Sequence, residues 1–356
     1  MRTFTCRRCA NLLAFENSVC VVCGSPQAFS TEQLSMIPVD QTSETHRLCG
    51  NAASIGCNWL AAGEEQFCPS CRLTRTRPRD DDTSGMAAFV GAEAAKRRLV
   101  YQLVDLALPV IAKQDDGAGL AFDLLSSTDA PVTTGHADGV VTIDLAEGDD
   151  PHREAMRVEM GEPYRTMLGH LRHEVGHYYF QVLVEGRRPG AGDSHVSDAI
   201  ERFRTLFGDE RPDYGDALQR HYTDGPPEGW EVSHISAYAT AHPWEDWAET
   251  FAHYLHILDT LQTASSWGMV VAGPSTSAPE VTGVVHARPR SETSGDEGIL
   301  GIITTWLPLT YALNAVNRSM GKEDLYPFRL TEPVIAKLDF VHGLVNPSRQ
   351  IQSSSR

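Results

Sequence analysis

At 356 residues the chain is long enough for two or three domains with a sizeable core, and 41% hydrophobic with 22% charged residues is the ordinary composition of a globular protein rather than of a chain disordered throughout. Its formal charge of −17 is uneven: residues 1–79 hold 8 Arg, no Lys and 6 acidic residues, a net of +2, so the remainder carries −19. So acidic a body repels phosphate backbones and disfavours a general nucleic-acid binder.

The start, Met1 to Cys6, lacks an apolar stretch of signal-peptide length, and the longest apolar run, Ile299 to Leu309, is too short to span a bilayer. A cytoplasmic protein with no membrane contact is expected. All 8 Cys fall between residues 6 and 71. In a reducing compartment such clustering points to metal rather than to disulfides. Cys6-x2-Cys9 and Cys20-x2-Cys23 form two knuckles, the pattern of a zinc ribbon. Cys49, Cys57, Cys68 and Cys71 form a second set of four, with one tight and one loose pair. So small a region cannot build a large core, so its zinc ions are expected to hold it folded. The ribbons read best as a structural or partner-docking module. Nucleic-acid contact through Arg7, Arg8, Arg72, Arg75, Arg77 and Arg79 is the weaker reading, because few aromatics interleave them.

The polar stretch 80–86 reads as a linker between a zinc-ribbon region, 1–79, and a larger domain, 87–350. Apolar residues Leu99, Val100, Leu103, Val104 and Leu106 recur at helical spacing within Ala87 to Lys113. Strands are expected near Leu120 to Leu125 and, most clearly, over the β-branched run Gly139 to Leu145. Pro163 opens a helical run to Glu185, a second helix covers Val196 to Phe207 and stops at Gly208, and a third starts at Pro243. The last carries Trp247, Phe251, Tyr254, Leu255 and Leu258 on a helical period. Residues 272–298, rich in Gly, Ser, Pro and Thr, read as a loop, and Leu300 to Val345 as further helix.

Within the first of these helices His173-Glu174-Val175-Gly176-His177 spells H-E-x-x-H. Positions i and i+4 share a helix face, so both imidazoles can address one metal, and Glu174 can reach a water there as general base. A catalytic zinc takes three protein ligands, so a third must come from downstream. The best segment is His242 to His253, a helix that places Glu245, Glu249 and His253 one turn apart on one face. Carboxylates among Trp244, Trp247 and Phe251 are costly to bury unless paired or metal-bound. Tyr238, His234 and His253 are candidates for an oxyanion donor. His170, three residues before His173, is expected to pack or support rather than ligate, and Tyr178 and Tyr179 to lie in the core.

Several stretches together resemble a known family: Cys6-Arg7-Arg8-Cys9, Phe15-Glu16-Asn17-Ser18-Val19-Cys20, Cys57-Asn58-Trp59-Leu60, Cys68-Pro69-Ser70-Cys71-Arg72-Leu73, Pro163 to Tyr179, Phe207-Gly208-Asp209-Glu210 and His242 to Ile257. The chain is similar to the bacterial zinc-binding metallopeptidases, zincins with a Glu as third ligand, that carry an N-terminal zinc-ribbon region. The resemblance implies an α+β fold: a mainly helical zincin-like domain with a small β-sheet, preceded by four-cysteine zinc-ribbon modules. It implies peptidase activity on a peptide or protein substrate, one catalytic and two structural Zn2+, His173 and His177 as ligands and Glu174 as base. The setting Trp247-Ala248-Glu249-Thr250-Phe251-Ala252 looks like that of the ligand Glu in related peptidases, which favours Glu249. A thermolysin-like arrangement would instead make Glu245 the ligand and Glu249 its neighbour's support. Zincins of this kind lay substrate along a strand edge, for which Val140 to Leu145 is the candidate. The other readings are a zinc hydrolase of another amide bond, and a zinc-ribbon interaction or nucleic-acid-associated protein whose H-E-x-x-H site is structural.

Overall fold

A computed structural model describes residues 1–42, 46–114, 117–128, 130–148, 166–187, 196–273, 284–287 and 298–346. The chain forms two compact units, Met1–Val158 with Arg165–Leu171, and Arg172–Arg356 with Glu159–Tyr164.

In the first unit the cysteines lie within or beside three antiparallel hairpins: β1 (Phe4–Thr5) with β2 (Leu12–Leu13), β3 (Gln27–Ser30) with β4 (Ser35–Pro38), and β5 (His46–Leu48) with β6 (Leu60–Ala62). A single helical turn, α1 (Ala52–Ile55), precedes β6. Zinc was expected to hold this region folded, and beside its cysteines lies an apolar cluster shared with the following helix. Phe4, Phe15 and Phe29 are buried and meet Tyr101 of helix α2 (Thr83–Asp105), and buried Trp59 packs on Phe29, with Phe29 and Trp59 ring centroids 4.8 Å apart and Phe29 and Tyr101 5.4 Å apart. Such aromatic pairs add to the burial of their area. Helix α2 starts inside the stretch read as a linker, because the Asp82 side chain accepts the Gly85 N–H and caps it. It stops at Asp105 rather than Lys113: Ala107 takes a φ of +55° and Pro109 follows.

A four-stranded sheet runs in the order β7 (Thr74–Thr76), β8 (Ala121–Leu125), β10 (Val140–Asp144), β9 (Gly135–Ala137). β7 comes from the cysteine-rich stretch and pairs parallel with β8, and Arg75 Nε donates to Asp123 Oδ1 at 2.9 Å across that pair. Behind it, buried Lys96 and Glu93 of α2 pair at 2.5 Å and share Thr74. The expected substrate edge at Val140 to Leu145 is not an edge. β10 pairs with β8 along its whole length, and β9 covers its other side over Val140–Thr142. Among the described residues His170 is in no group that could hold a metal ion; its ring meets Glu147, whose other oxygen accepts the Thr134 hydroxyl at 2.6 Å.

Helix α3 (Met167–Tyr179) runs into the second unit and widens into a π-helical turn over Phe180–Val184; Pro163 lies outside the described residues. There follow α4 (Val196–Phe207), ended by Gly208 at φ +102°, α5 (Tyr214–Asp224), capped by Asp213, and α6 (Pro243–Ser266), capped by the His242 ring with Pro243 in its first turn. Trp247, Phe251, Tyr254, Leu255 and Leu258 of α6 are buried on the expected period, as are Tyr178 and Tyr179, and Tyr179 stacks on Phe251. Where a loop was expected, β11 (Val270–Ala272) pairs antiparallel with β12 (Val284–His286); 274–283 and 288–297 lie outside the described residues.

The run at Ile299 belongs to a 22-residue helix, α7 (Gly298–Ser319), longer than its apolar core suggested. By length and composition α7 could cross a membrane, with half of its apolar window buried. Its inner face, Ile299, Ile302, Ile303, Trp306 and Leu309, packs in the second unit, which α8 (Glu332–Val345) completes.

Candidate metal centre

Helices α3 and α6 are held together by a close approach. Trp247 Nε1 donates to the Gly176 carbonyl at 2.8 Å, and a Cβ on Gly176 would lie 3.0 Å from Ala248 Cα. The glycine before the second histidine of H-E-x-x-H is thus the place where one helix backbone meets the other. The i,i+4 spacing then brings the His173 and His177 rings to 5.1 Å, centroid to centroid, facing the first turns of α6.

Two carboxylates of α6 take opposite sides of His173. Glu245 Oε2 lies 3.0 Å from His173 Nε2, and its Oε1 lies 3.5 Å from His177 Nε2. Glu249 Oε1 accepts the other ring nitrogen of His173, Nδ1, at 2.7 Å. His173, His177 and Glu245 offer ligand atoms all within 4.8 Å of one another; Glu249 is outside that group. Nitrogen and oxygen ligands of a tetrahedral zinc, bound at about 2.1 Å, are spaced about 3.4 Å apart. The fit is supported by an orphaned atom: Glu245 is 1% exposed, and among the described residues its Oε2 has no properly directed hydrogen bond. Of the two acids weighed from the sequence, the geometry favours Glu245, the alternative, over Glu249.

Burial alone would lower the His173 pKa, but Glu245 and then Glu249 outweigh it and hold it well above the ordinary value. Burial pushes Glu245 up, and His177 and His173 pull it well below. For Glu249 burial is again outweighed, by the His173 hydrogen bond, leaving it at about 2. These groups attract one another as acid and base, the state that a divalent cation replaces when it displaces a proton.

Glu174 is buried beside His173, and its charge acts on Tyr214 and Tyr238. Of the three oxyanion candidates, Tyr238 lies against the site, its ring 5.9 Å from that of His173. His253 is engaged with the Tyr326 hydroxyl at 2.9 Å. His234 meets Ser233 Oγ at 3.0 Å and lies 3.7 Å from Asp246, which is paired with Lys337 at 2.5 Å. Sequence reasoning missed Tyr214, whose hydroxyl donates to Glu245 Oε1 at 2.6 Å. No spacing or motif ties it to a helix that starts 29 residues later, so nothing local could have found it.

The cysteines close into two groups of four: Cys6, Cys9, Cys20 and Cys23, and the fully buried Cys49, Cys57, Cys68 and Cys71. Sulfur pairs stand at 3.8 Å (Cys6 and Cys23), 3.5 Å (Cys9 and Cys20), 3.7 Å (Cys57 and Cys68) and 3.7 Å (Cys57 and Cys71). Thiolates at about 2.3 Å from a tetrahedral zinc would be about 3.8 Å apart. The backbone N–H of Cys68 donates to Cys49 Sγ at 3.3 Å, and that of Cys71 to Cys68 Sγ at 3.4 Å. Neighbouring thiols pull Cys49 below its ordinary pKa while pushing Cys68 and Cys71 above theirs. Ionising one thiol opposes ionising the rest, an opposition that a bound divalent cation removes. The arginines of this region are engaged: Arg7 with Gln33, Arg8 with Asp40, Arg72 with Glu65, Arg77 with Asp80 and Arg79 with Asp81.

A zinc-ribbon protein with a second metal-binding group on packed helices is the class these features define, and the comparisons agree. Residues 85–344 match a family described as "Putative zinc-binding metallo-peptidase", and residues 3–82 match a zinc-ribbon domain. The chain belongs to that metallo-peptidase family. Uncharacterized proteins of Mycobacterium tuberculosis and Mycobacterium bovis are each 48% identical over 349 residues, covering 97% of this chain and 96% of theirs. No solved structure gives a significant match.

Proposed function

We propose that the protein is a zinc-dependent peptidase whose catalytic part lies within residues 87–350, with His173, His177 and Glu245 as metal ligands and Glu174 as general base. The observation that carries this is the convergence of two Nε2 atoms and the orphaned Glu245 oxygen beside Glu174, with Glu249 holding the far nitrogen of His173. When bound there, zinc supplies Lewis acidity, which acidifies water and polarises a peptide carbonyl. Glu174 accepts the proton of the attacking water and returns it to the leaving amine. Glu249 accepts Nδ1–H of His173, which keeps Nε2 free of its proton and turned toward Glu245. Tyr238, beside His173, is the donor best placed to meet negative charge developing on the carbonyl oxygen.

Two further zinc ions in the four-cysteine groups complete the reading, three per chain, in a cytoplasmic protein whose thiols stay reduced. The arginine pairing around those groups favours a protein partner over nucleic acid. The test is Glu174→Gln. The variant should keep its zinc and lose hydrolysis of a peptide library by a factor on the order of 10² to 10⁴. Equal activity of the variant, or a zinc-loaded wild type inert on every peptide, would return the protein to the interaction reading.

A further inference from the structure

We propose that Tyr214 is a positioning residue that selects which oxygen of Glu245 faces the metal, and thereby sets the zinc affinity of the H-E-x-x-H site. The inference rests on the reading of His173, His177 and Glu245 as ligands. The Tyr214 hydroxyl donates to Glu245 Oε1 at 2.6 Å, while Oε2, 3.0 Å from His173 Nε2, is buried without a directed hydrogen bond. A carboxylate with one oxygen held by a phenol presents the other as a single ligand. Without that bond, both oxygens compete for the cation and the carboxylate can turn.

Tyr214 is itself held in place. It opens α5, whose first turn is fixed by the Asp213 carboxylate accepting the Asp216 N–H at 2.8 Å. Its ring stands edge-on to His242, 5.4 Å between centroids, and tilts against Trp244 at 5.9 Å. His242 caps α6 and Trp244 directly precedes Glu245, so the phenol packs against the same helix end that carries the carboxylate. The same helix presents His221 edge-on to Tyr238 at 5.9 Å, and Tyr238 in turn lies against His173. Helix α5 thus meets the group twice, through Tyr214 on Glu245 and through His221 against Tyr238.

The experiment uses the full chain with its ribbons zinc-loaded, comparing wild type, Tyr214→Phe and His173→Ala by competitive chelator titration and by cobalt(II) absorption at the helical site. Tyr214→Phe keeps the ring and its packing, and far-ultraviolet circular dichroism verifies the fold. The expected result is metal affinity weaker by a factor of roughly 10 to 100. With it should come a lower kcat at nearly constant KM, and a weaker cobalt d–d band as the freed second oxygen raises the coordination number. Unchanged affinity and an unchanged cobalt band in a site that His173→Ala abolishes would overturn this inference alone. If wild type holds no more metal than His173→Ala, the ligand reading falls and takes the inference with it.

Discussion

Glu249 accepts a hydrogen bond from His173 Nδ1 at 2.7 Å, on the opposite side of the ring from Glu245, which lies 3.0 Å from Nε2. One histidine is therefore gripped by two acids a helical turn apart, and of the two it is Glu245 that also approaches His177, at 3.5 Å.

That division makes the two acids unequal under substitution. Glu245→Ala removes a ligand and should leave the helical site without stoichiometric zinc at micromolar metal. Glu249→Ala releases the ring orientation only, and should weaken zinc by a factor of about 10 to 100 while keeping the stoichiometry. Zinc per chain after dialysis separates them: equal, complete loss in both would mean that Glu249 ligates.

Gly176 is where α3 and α6 touch. An alanine there would set its Cβ 3.0 Å from Ala248 Cα and 3.2 Å from the Ala248 carbonyl oxygen, both backbone atoms that cannot yield cheaply. Gly176→Ala should destabilise the protein by about 1 to 3 kcal/mol, the range for overpacking a tight contact. It should also strain the Trp247 hydrogen bond to the Gly176 carbonyl. Thermal unfolding reads the first effect and tryptophan fluorescence the second; a melting temperature at or above that of the wild type would count against the contact.

In the second unit His253 is buried and His256 half-buried, and desolvation lowers their pKa values to about 4 and about 3, against 6.5 for a free imidazole. Because the folded values lie below the unfolded one, the neutral rings favour folding fully above pH 6.5. That contribution is lost as pH falls toward 4 and 3, at about 1.4 kcal/mol per pH unit for each group. Asp246 tilts the other way: burial raises it to about 7, so its protonation favours the folded state as pH falls below that value. A His253→Gln/His256→Gln variant isolates the histidines. Between pH 6.5 and 4 its stability should fall less steeply than that of the wild type. Parallel urea-unfolding midpoints across that range would refute the assignment.

Much of the fold was readable because its signals are local. Strands Ala121–Leu125 and Val140–Asp144 and helices Val196–Phe207 and Pro243–Ser266 follow from β-branched runs, caps, prolines and a helical apolar period. Where the reading fell short, a distant partner or a cap intervened. Asp82 capped a helix earlier than the apolar period showed, and β9 covered the presumed edge of β10. β7, inside the stretch expected to end at residue 79, pairs with β8 from beyond it, a long-range ladder that no local pattern announces.

By itself, the sequence determined the chemistry that this protein can hold. His173 with His177, Glu245 with Glu249, and three C-x2-C pairs occur at spacings that bring donor atoms together within one turn of helix or one tight knuckle, and such short-range geometry needs no fold to be legible. The tertiary structure decided which acid faces the two histidines, which tyrosine grips that acid, and why the motif's glycine must be small. Those relations join residues from 31 to 76 positions apart, and side chains so far apart in the chain meet only where packing puts them.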